Sequence, residues 1–243
     1  DQLAKEQSKA FAAIGLSRNE GLKLLDRKCH ECFGHGYDEA NGMFSEHLVL
    51  MASIACAQKE FVRDILEIGT FNGRTAVLLS HLFPAARILT IDLPSDSPLF
   101  SSSYQRMNSA EAFSAKRDAL LDKLPNVRFS GVNSVSMTTW ASESFDLIWV
   151  DGAHGYPVVC ADLINAYRLA RAGGIVMVDD VWVELNSSDA MYKSTGAYET
   201  LESMRSAGLF DSYQLFLKRV GLAFNVRYKQ KYVGHFIRPE AVD

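Results

Sequence analysis

The stretch 64–92 limits the possible fold more than any other part of the chain. In order, it predicts a buried strand, a glycine-containing turn, a helix that stops before a proline, and a second strand that ends on an acid. These segments are Ile65–Ile68, Gly69–Gly73, Ala76–Leu82 and Arg87–Ile91, followed by Asp92. Parallel strands joined by a right-handed crossover end at the same edge of a sheet, which is where open α/β sheets bind ligands. We therefore expect a ligand at this edge.

The glycine spacing of the turn indicates the kind of ligand. A dinucleotide fingerprint counted from Gly69 would place glycines at positions 71 and 74, where this chain has Phe71 and Arg74. A P-loop is also absent from the stretch. The pattern present is E-x-G-x-x-x-G, with Asp92 nineteen residues beyond Gly73. It fits a nucleoside held by its ribose hydroxyls on a carboxylate; the alternative is a turn that the glycines merely shape.

This stretch resembles motif I of class I S-adenosylmethionine (SAM)-dependent methyltransferases. The resemblance implies SAM binding through the turn and Asp92. It also implies contacts from the start of the predicted helix His47–Gln58, from the end of a third strand, Asn126–Gly131, and from the end of a fourth. The implied cofactor residues are Ser45, Glu67, Gly69, Thr70, Asn72, Gly73, Thr75, Asp92, Asn133, Ser134 and Asp151. Ser45 is equally explained as a plain helix cap.

Three more acids follow two later predicted strands. Phe145–Val150 ends in Asp151, and Ile175–Val178 is followed by Asp179 and Asp180. Carboxylates gathered at one sheet edge repel one another unless a positive charge joins them. A hard divalent cation, Mg²⁺ above all, is the natural partner for such oxygen ligands. The alternative is that these aspartates only cap turns and helices.

The runs FDLIWVDGAHGY and AGGIVMVDDVW resemble the O-methyltransferases of the caffeoyl-CoA/catechol type and of the macrocin type, which act on sugars and antibiotics. In the former, Mg²⁺ is held at positions that match Asp151, Asp179 and Asp180, the last being Asn in that family. Its lysine base matches His154, and macrocin-type relatives often carry a histidine in this loop. The resemblance implies O-methylation of a small hydroxylated molecule (a sugar, phenol or natural product), assisted by the metal, with His154 as general base. The alternatives are a metal-independent O- or N-methyltransferase and a non-catalytic SAM-binding protein.

The whole chain predicts an α/β, Rossmann-like doubly wound sheet, mostly parallel, with a C-terminal antiparallel hairpin and an N-terminal helical extension. Two helices in residues 1–25 place the extension at 1–42, as a cap or dimer contact through which the protein could form a homo-oligomer, and the methyltransferase domain at 43–243. Leu93–Met107 predicts a substrate lid. Further predicted elements are helices Asn108–Leu124, Val158–Ala172 and Lys193–Ala207, and strands Ser212–Lys218, Gly221–Arg227 and Tyr232–Ile237.

Composition narrows the function further. The 243 residues carry a net charge of −4 without a basic block, so we expect no nucleic-acid partner, and no apolar run is long enough to suggest a membrane span. Four cysteines are few for this length and indicate a reducing, cytoplasmic setting. Cys29 and Cys32, near His35, form a C-x-x-C without the second ligand pair of a zinc site. A loop with incidental thiols is the favoured interpretation.

Overall fold

The computed structural model describes residues 2–40, 44–103, 109–185, 193–221 and 231–240. Within them a seven-stranded sheet has the order β3-β2-β1-β4-β5-β7-β6. Strands β1 to β5 run parallel, and β7 pairs antiparallel with both β5 and β6. The strands are β1 Asp64–Ile68, β2 Arg87–Asp92, β3 Val127–Gly131, β4 Phe145–Val150, β5 Ala170–Trp182, β6 Gln214–Leu217 and β7 Lys231–Ile237. The predicted fold class is confirmed.

Helices cover both faces of the sheet. They are α1 Gln2–Ala13, α2 Arg18–Phe33, α3 Glu46–Gln58, α4 Arg74–Leu82, α5 Pro98–Ser102, α6 Ala110–Leu121, α7 Val158–Leu169 and α8 Gly196–Ser206, with a 3₁₀ helix at Ser134–Thr139. Successive residues of a strand face opposite sides, so Leu147 and Trp149 join the core beneath α1–α4, while Ile148 and Val150 join the core beneath α7 and α8. Burial on both sides explains the continuous apolar runs of the strands. No described helix has the length and hydropathy needed to cross a membrane.

The N-terminal helices pack into the first core. The predicted break lies between α1 and α2, at Gly15 with its φ of +74°. Phe11 of α1 packs edge-on against Phe216 of β6, with ring centroids 4.8 Å apart. These contacts join the N-terminal helices to the sheet, and the choice between a cap and a dimer contact stays a prediction. Cys29 and Cys32 lie on α2, so the prediction of a loop there is wrong.

Several boundaries differ from the sequence prediction. Helix α7 ends at Leu169 and β5 starts at Ala170, because Arg171 is held in the sheet by ion pairs of 2.8 Å with Asp64 and 2.7 Å with Asp146. At its other end β5 continues through Asp179 and Asp180 to Trp182, instead of ending before the two aspartates.

The other differences concern the later part of the chain. Helix α6 spans Ala110–Leu121 and α8 spans Gly196–Ser206, each shorter than predicted. The first strand of the hairpin predicted from Ser212–Lys218 and Gly221–Arg227 contains β6, which pairs with β7. Most of the second predicted strand, from 222 onward, lies outside the described residues. The predicted lid contains α5, and its end, 104–107, also lies outside them.

Candidate active site

The turn after β1 forms the floor of the predicted SAM site. The N–H groups of Gly69 and Thr70 both donate to the carbonyl oxygen of Ile91, at 2.9 and 3.1 Å, which joins the ends of β1 and β2. Gly69 has a φ of +102°, and a Cβ there would lie 2.1 Å from the carbonyl oxygen of Asp151. Only glycine therefore allows the ends of β1 and β4 to approach this closely.

Asp92 lies at the carboxyl end of β2, beside this turn. Its Oδ2 accepts the N–H of Phe71 at 2.8 Å, and its Oδ1 accepts the N–H of Leu93 at 2.8 Å. A carboxylate only accepts hydrogen bonds, and the hydroxyls of a ribose are donors that it can serve. The remaining predicted turn residues continue into α4: Asn72 accepts the N–H of Arg74 at 3.1 Å, and Gly73, with a φ of +80°, precedes the helix that contains Thr75.

Glu67 lies beneath the turn and has no exposed surface. Its Oε2 accepts the hydroxyl of Thr90 at 2.5 Å, and the Thr90 hydroxyl is 2.6 Å from that of Thr70. Burial raises the pKa of Glu67 to about 8. The negative charge of Asp92 acts in the same direction, and the hydrogen bond from Thr90 acts against it. Through the hydroxyls of Thr90 and Thr70, Glu67 supports the turn from below.

The other predicted cofactor residues lie at two separate places. Ser45 precedes α3 but makes no capping bond; it is fully buried, with its hydroxyl 2.6 Å from Nδ1 of His47. The His47 ring in turn stacks on the buried ring of Trp149, with centroids 5.0 Å apart. The Ser45 hydroxyl therefore points into the core, toward His47. Asn133 is exposed after β3 and accepts the N–H of Val135 at 3.0 Å; Ser134 next to it is half-buried. Both stay predicted cofactor contacts.

The structure brings Asp151, Asp179 and Asp180 together, as predicted. Consecutive residues of a regular strand face opposite sides of a sheet. The pairing of β5 with β7 is irregular between Val178 and Val181, however, and Asp180 has a φ of +53°. This bulge lets both acids of β5 face one group.

That group is Lys218, which follows β6. Its Nζ lies 2.6 Å from Oδ2 of Asp179 and also hydrogen-bonds Oδ1 of Asp180, while Lys231 Nζ lies 2.6 Å from Oδ2 of Asp180. Burial by itself would raise the pKa of Asp180. The charges of Lys218, His154 and Lys231 outweigh it and hold the pKa of Asp180 well below its usual range. Burial and the charge of Asp179 raise the pKa of Asp151. The sequence analysis missed both lysines, because each looked like an ordinary polar residue at a strand end.

The predicted magnesium ligands do not fit a metal ion in this arrangement. Their chemistry is suitable, since all three offer carboxylate oxygens. A cation that bridged Asp179 and Asp180, however, would need an oxygen of Asp180, and both of these already bind lysine, one Lys218 and the other Lys231. Among the described residues, no group of three or more His, Cys, Asp or Glu side chains is arranged to hold a metal ion. The positive charge inferred from the clustered acids comes from the chain itself.

His154 lies on the loop after β4, against these acids. Its Nε2 is 3.6 Å from Oδ2 of Asp180 and 3.9 Å from Oδ1 of Asp151, and its side chain is 22% exposed. Burial lowers its pKa, and Lys218 and Lys231 act in the same direction against the charges of Asp180 and Asp179. The imidazole is therefore neutral near pH 7, partly accessible, and able to accept a proton.

Comparison with known families agrees with this geometry. Residues 66–181, which include the turn, Asp92, His154 and the acid cluster, match a family model described as a methyltransferase domain. Over these residues the sequence-based resemblance to class I SAM-dependent methyltransferases is confirmed. No curated protein sequence matches the chain.

Solved structures of similar fold include several small-molecule methyltransferases. A candidate caffeoyl-CoA O-methyltransferase from Staphylococcus aureus has a TM-score of 0.55 at 14% identity, with 78% of this chain and 83% of that one covered. The O-methyltransferase TomG from Streptomyces achromogenes, involved in tomaymycin synthesis and solved with SAM, has a TM-score of 0.52 at 18% identity, over 97% and 96% of the two chains. The 1,6-didemethyltoxoflavin-N1-methyltransferase from Burkholderia thailandensis has a TM-score of 0.50 at 14% identity, over 79% and 77%.

These likenesses establish the fold and leave the acceptor atom open, since both O- and N-methyltransferases share it. The chain also spans only 56% of the length of another similar structure, an O-methyltransferase family protein from Burkholderia thailandensis.

Proposed function

We propose that this protein transfers the methyl group of SAM to a hydroxyl of a small molecule, a sugar, phenol or natural product. The observation that carries the proposal is the position of His154, whose partly exposed ring lies 3.6 Å from Asp180 at the edge that also bears the SAM turn. Methylation of a hydroxyl requires a group that removes its proton, and methylation of a neutral amine nitrogen can proceed without one. A neutral histidine at this edge therefore favours oxygen over nitrogen.

The turn 69–73 and Asp92 would hold SAM. The carboxylate of Asp92 would accept the ribose hydroxyls, and Gly69 and Gly73 carry no side chain in the turn. When bound, SAM supplies a methyl group already activated by its sulfonium. The protein has then to hold the acceptor oxygen in line with that methyl group and to remove its proton.

His154 is the proposed general base. Its imidazole would take the hydroxyl proton, and the carboxylate of Asp180, 3.6 Å from Nε2, would stabilise the positive charge of the imidazolium that forms. Asp180 cannot move away easily, because two lysines hold its two oxygens. We derive no step from the magnesium ion that the sequence predicted, because both oxygens of Asp180 already bind lysine.

The test is His154→Gln, assayed with labelled SAM against a panel of sugars, phenols, catechols and amines. We expect kcat to fall by ~10²–10⁴ while SAM affinity stays unchanged. His81→Gln is the matched control, since His81 lies in the last turn of α4 with its Nδ1 2.9 Å from the carbonyl oxygen of Val77. Normal turnover by His154→Gln, or methylation of amines alone, would contradict the proposal.

The wild-type rate should also depend on pH. The base works only as neutral imidazole, and its lowered pKa places the acidic limb below the ordinary value of 6.5. The rate should therefore fall as pH drops through that lower value, and His154→Gln should lose this limb.

The remaining expectations stand as proposals beside this one. We propose a small-molecule acceptor with no nucleic-acid partner, a cytoplasmic location in keeping with four free cysteines, and a homo-oligomer as one possible assembly through the N-terminal helices. The division into 1–42 and 43–243 likewise stays a prediction. Size-exclusion chromatography with light scattering tests the assembly.

A further inference from the structure

We propose that Lys218 is the permanent cation of the acid cluster at the end of β5 and that it keeps divalent metal ions out of the site. The proposal concerns Asp179 and Asp180, which the sequence predicted to be magnesium ligands. In the structure one ammonium group joins them instead, 2.6 Å from Oδ2 of Asp179 and hydrogen-bonded to Oδ1 of Asp180.

The backbone of β5 is shaped for a single shared partner. Asp180 adopts a left-handed φ of +53°, a conformation that aspartate tolerates better than most residues. Together with the irregular pairing between Val178 and Val181, it turns two consecutive side chains toward the same point. The three donors of an ammonium group can serve both carboxylates at once.

The main chain of Lys218 is held on both sides. Its N–H donates to the carbonyl oxygen of Lys231 at 2.9 Å, and its own carbonyl oxygen accepts the N–H of Glu46 at 2.9 Å. Glu46 is itself buried and ion-paired with Arg18 of α2. Lys218 as a whole is only 6% exposed. The ammonium group is therefore a built part of the core and not a mobile surface charge.

A divalent ion would have to compete with this arrangement. Mg²⁺ needs oxygens about 2.0–2.1 Å away in octahedral geometry. Three of the four oxygens of Asp179 and Asp180 already bind lysine: one of Asp179 and one of Asp180 bind Lys218, and the other of Asp180 binds Lys231. A dication on the same oxygens would lie next to two ammonium groups and be repelled by both. The exclusion follows from these contacts and does not depend on the reaction.

A second consequence rests on the proposed function. By fixing Asp180, Lys218 holds the carboxylate that faces Nε2 of His154 at 3.6 Å. Lys218 is thus a positioning residue for the base. Replacing it should lower kcat, with little effect on the affinity for SAM.

The experiment titrates Mn²⁺ into the full chain and follows the free-ion signal by electron paramagnetic resonance. It compares wild type, Asp179→Asn, Lys218→Met, Lys218→Gln and the double variant Lys218→Met/Asp179→Asn, with circular dichroism as the check of folding. Arg171→Met is the matched control, because it also removes a cation that bridges two aspartates, Asp64 and Asp146, in an ion pair outside this cluster. The Gln variant keeps a hydrogen-bond donor and serves if the Met variant does not fold.

We expect wild type and Arg171→Met to leave Mn²⁺ free at equal concentrations of ion and protein. A folded Lys218 variant should bind one Mn²⁺, and the Asp179→Asn change should abolish that binding. Stoichiometric binding by wild type that Asp179→Asn removes would overturn the proposal, as would folded Lys218 variants that bind no ion. Because this measurement needs no methyl acceptor, a failed acceptor screen would refute the proposed function and leave the exclusion of metal standing.

Discussion

Replacement of Asp92 tests the cofactor site most directly. In Asp92→Ala the ribose hydroxyls lose a charged acceptor, which should weaken SAM binding by ~1.5–3 kcal/mol, or about 10–150-fold in Kd. The same change removes the acceptor of two backbone N–H groups, those of Phe71 and Leu93, each at 2.8 Å. The free energy of unfolding should therefore also fall, by ~1–3 kcal/mol. Calorimetric titration with SAM and denaturant unfolding measure the two effects separately.

Asp146→Ala is a control for the loss of the two backbone hydrogen bonds. Its Oδ2 also accepts two backbone N–H groups, from Arg63 at 2.8 Å and Asp64 at 2.9 Å, and it lies near the start of β4, at the opposite edge of the sheet. Because it also removes an ion pair of 2.7 Å with Arg171, it should lower stability at least as much and leave the Kd for SAM unchanged. A folded Asp92→Ala protein that binds SAM normally would refute the assignment of Asp92, and equal weakening by Asp146→Ala would show that the effect is only one of stability.

Two further predictions concern the support beneath the site. Because the folded state holds the pKa of Glu67 at about 8, above the ordinary 4.5, Glu67 binds its proton more tightly folded than unfolded. Stability should decline as pH rises between these values, by at most ~1.4 kcal/mol per pH unit, and Glu67→Gln should remove that decline in urea unfolding at several pH values. Gly69→Ala would place a Cβ 2.1 Å from the backbone oxygen of Asp151. It should cost ~3 kcal/mol or more and weaken SAM binding, whereas Gly173→Ala, also at positive φ but with no atom within 4 Å, should cost only ~1 kcal/mol. A mild effect of Gly69→Ala, equal to that of Gly173→Ala, would contradict the close approach of β1 and β4.

The sequence by itself determined the order of the elements and the edge at which chemistry occurs. Phe145–Val150 has the bounds predicted for it, because a short apolar run between polar turns permits little else than a buried strand. The acids after β2 and β4 reach one edge because parallel strands with right-handed crossovers leave no other arrangement. Asp92, Asp151 and His154 therefore lie where local pattern and topology place them.

Only the tertiary structure decided what surrounds those acids. Lys218 is 39 residues from Asp179 in sequence. It reaches Asp179 because the last two strands, β7 and β6, are added to the sheet beside β5. Glu67 is likewise held in the core by a partner on another strand, Thr90 of β2. Hydrophobic periodicity reports the conformation of a segment and the face that it buries. It does not report which distant charge meets a buried carboxylate, so the sequence indicated the need for a cation here and the packing of the last strands supplied a lysine.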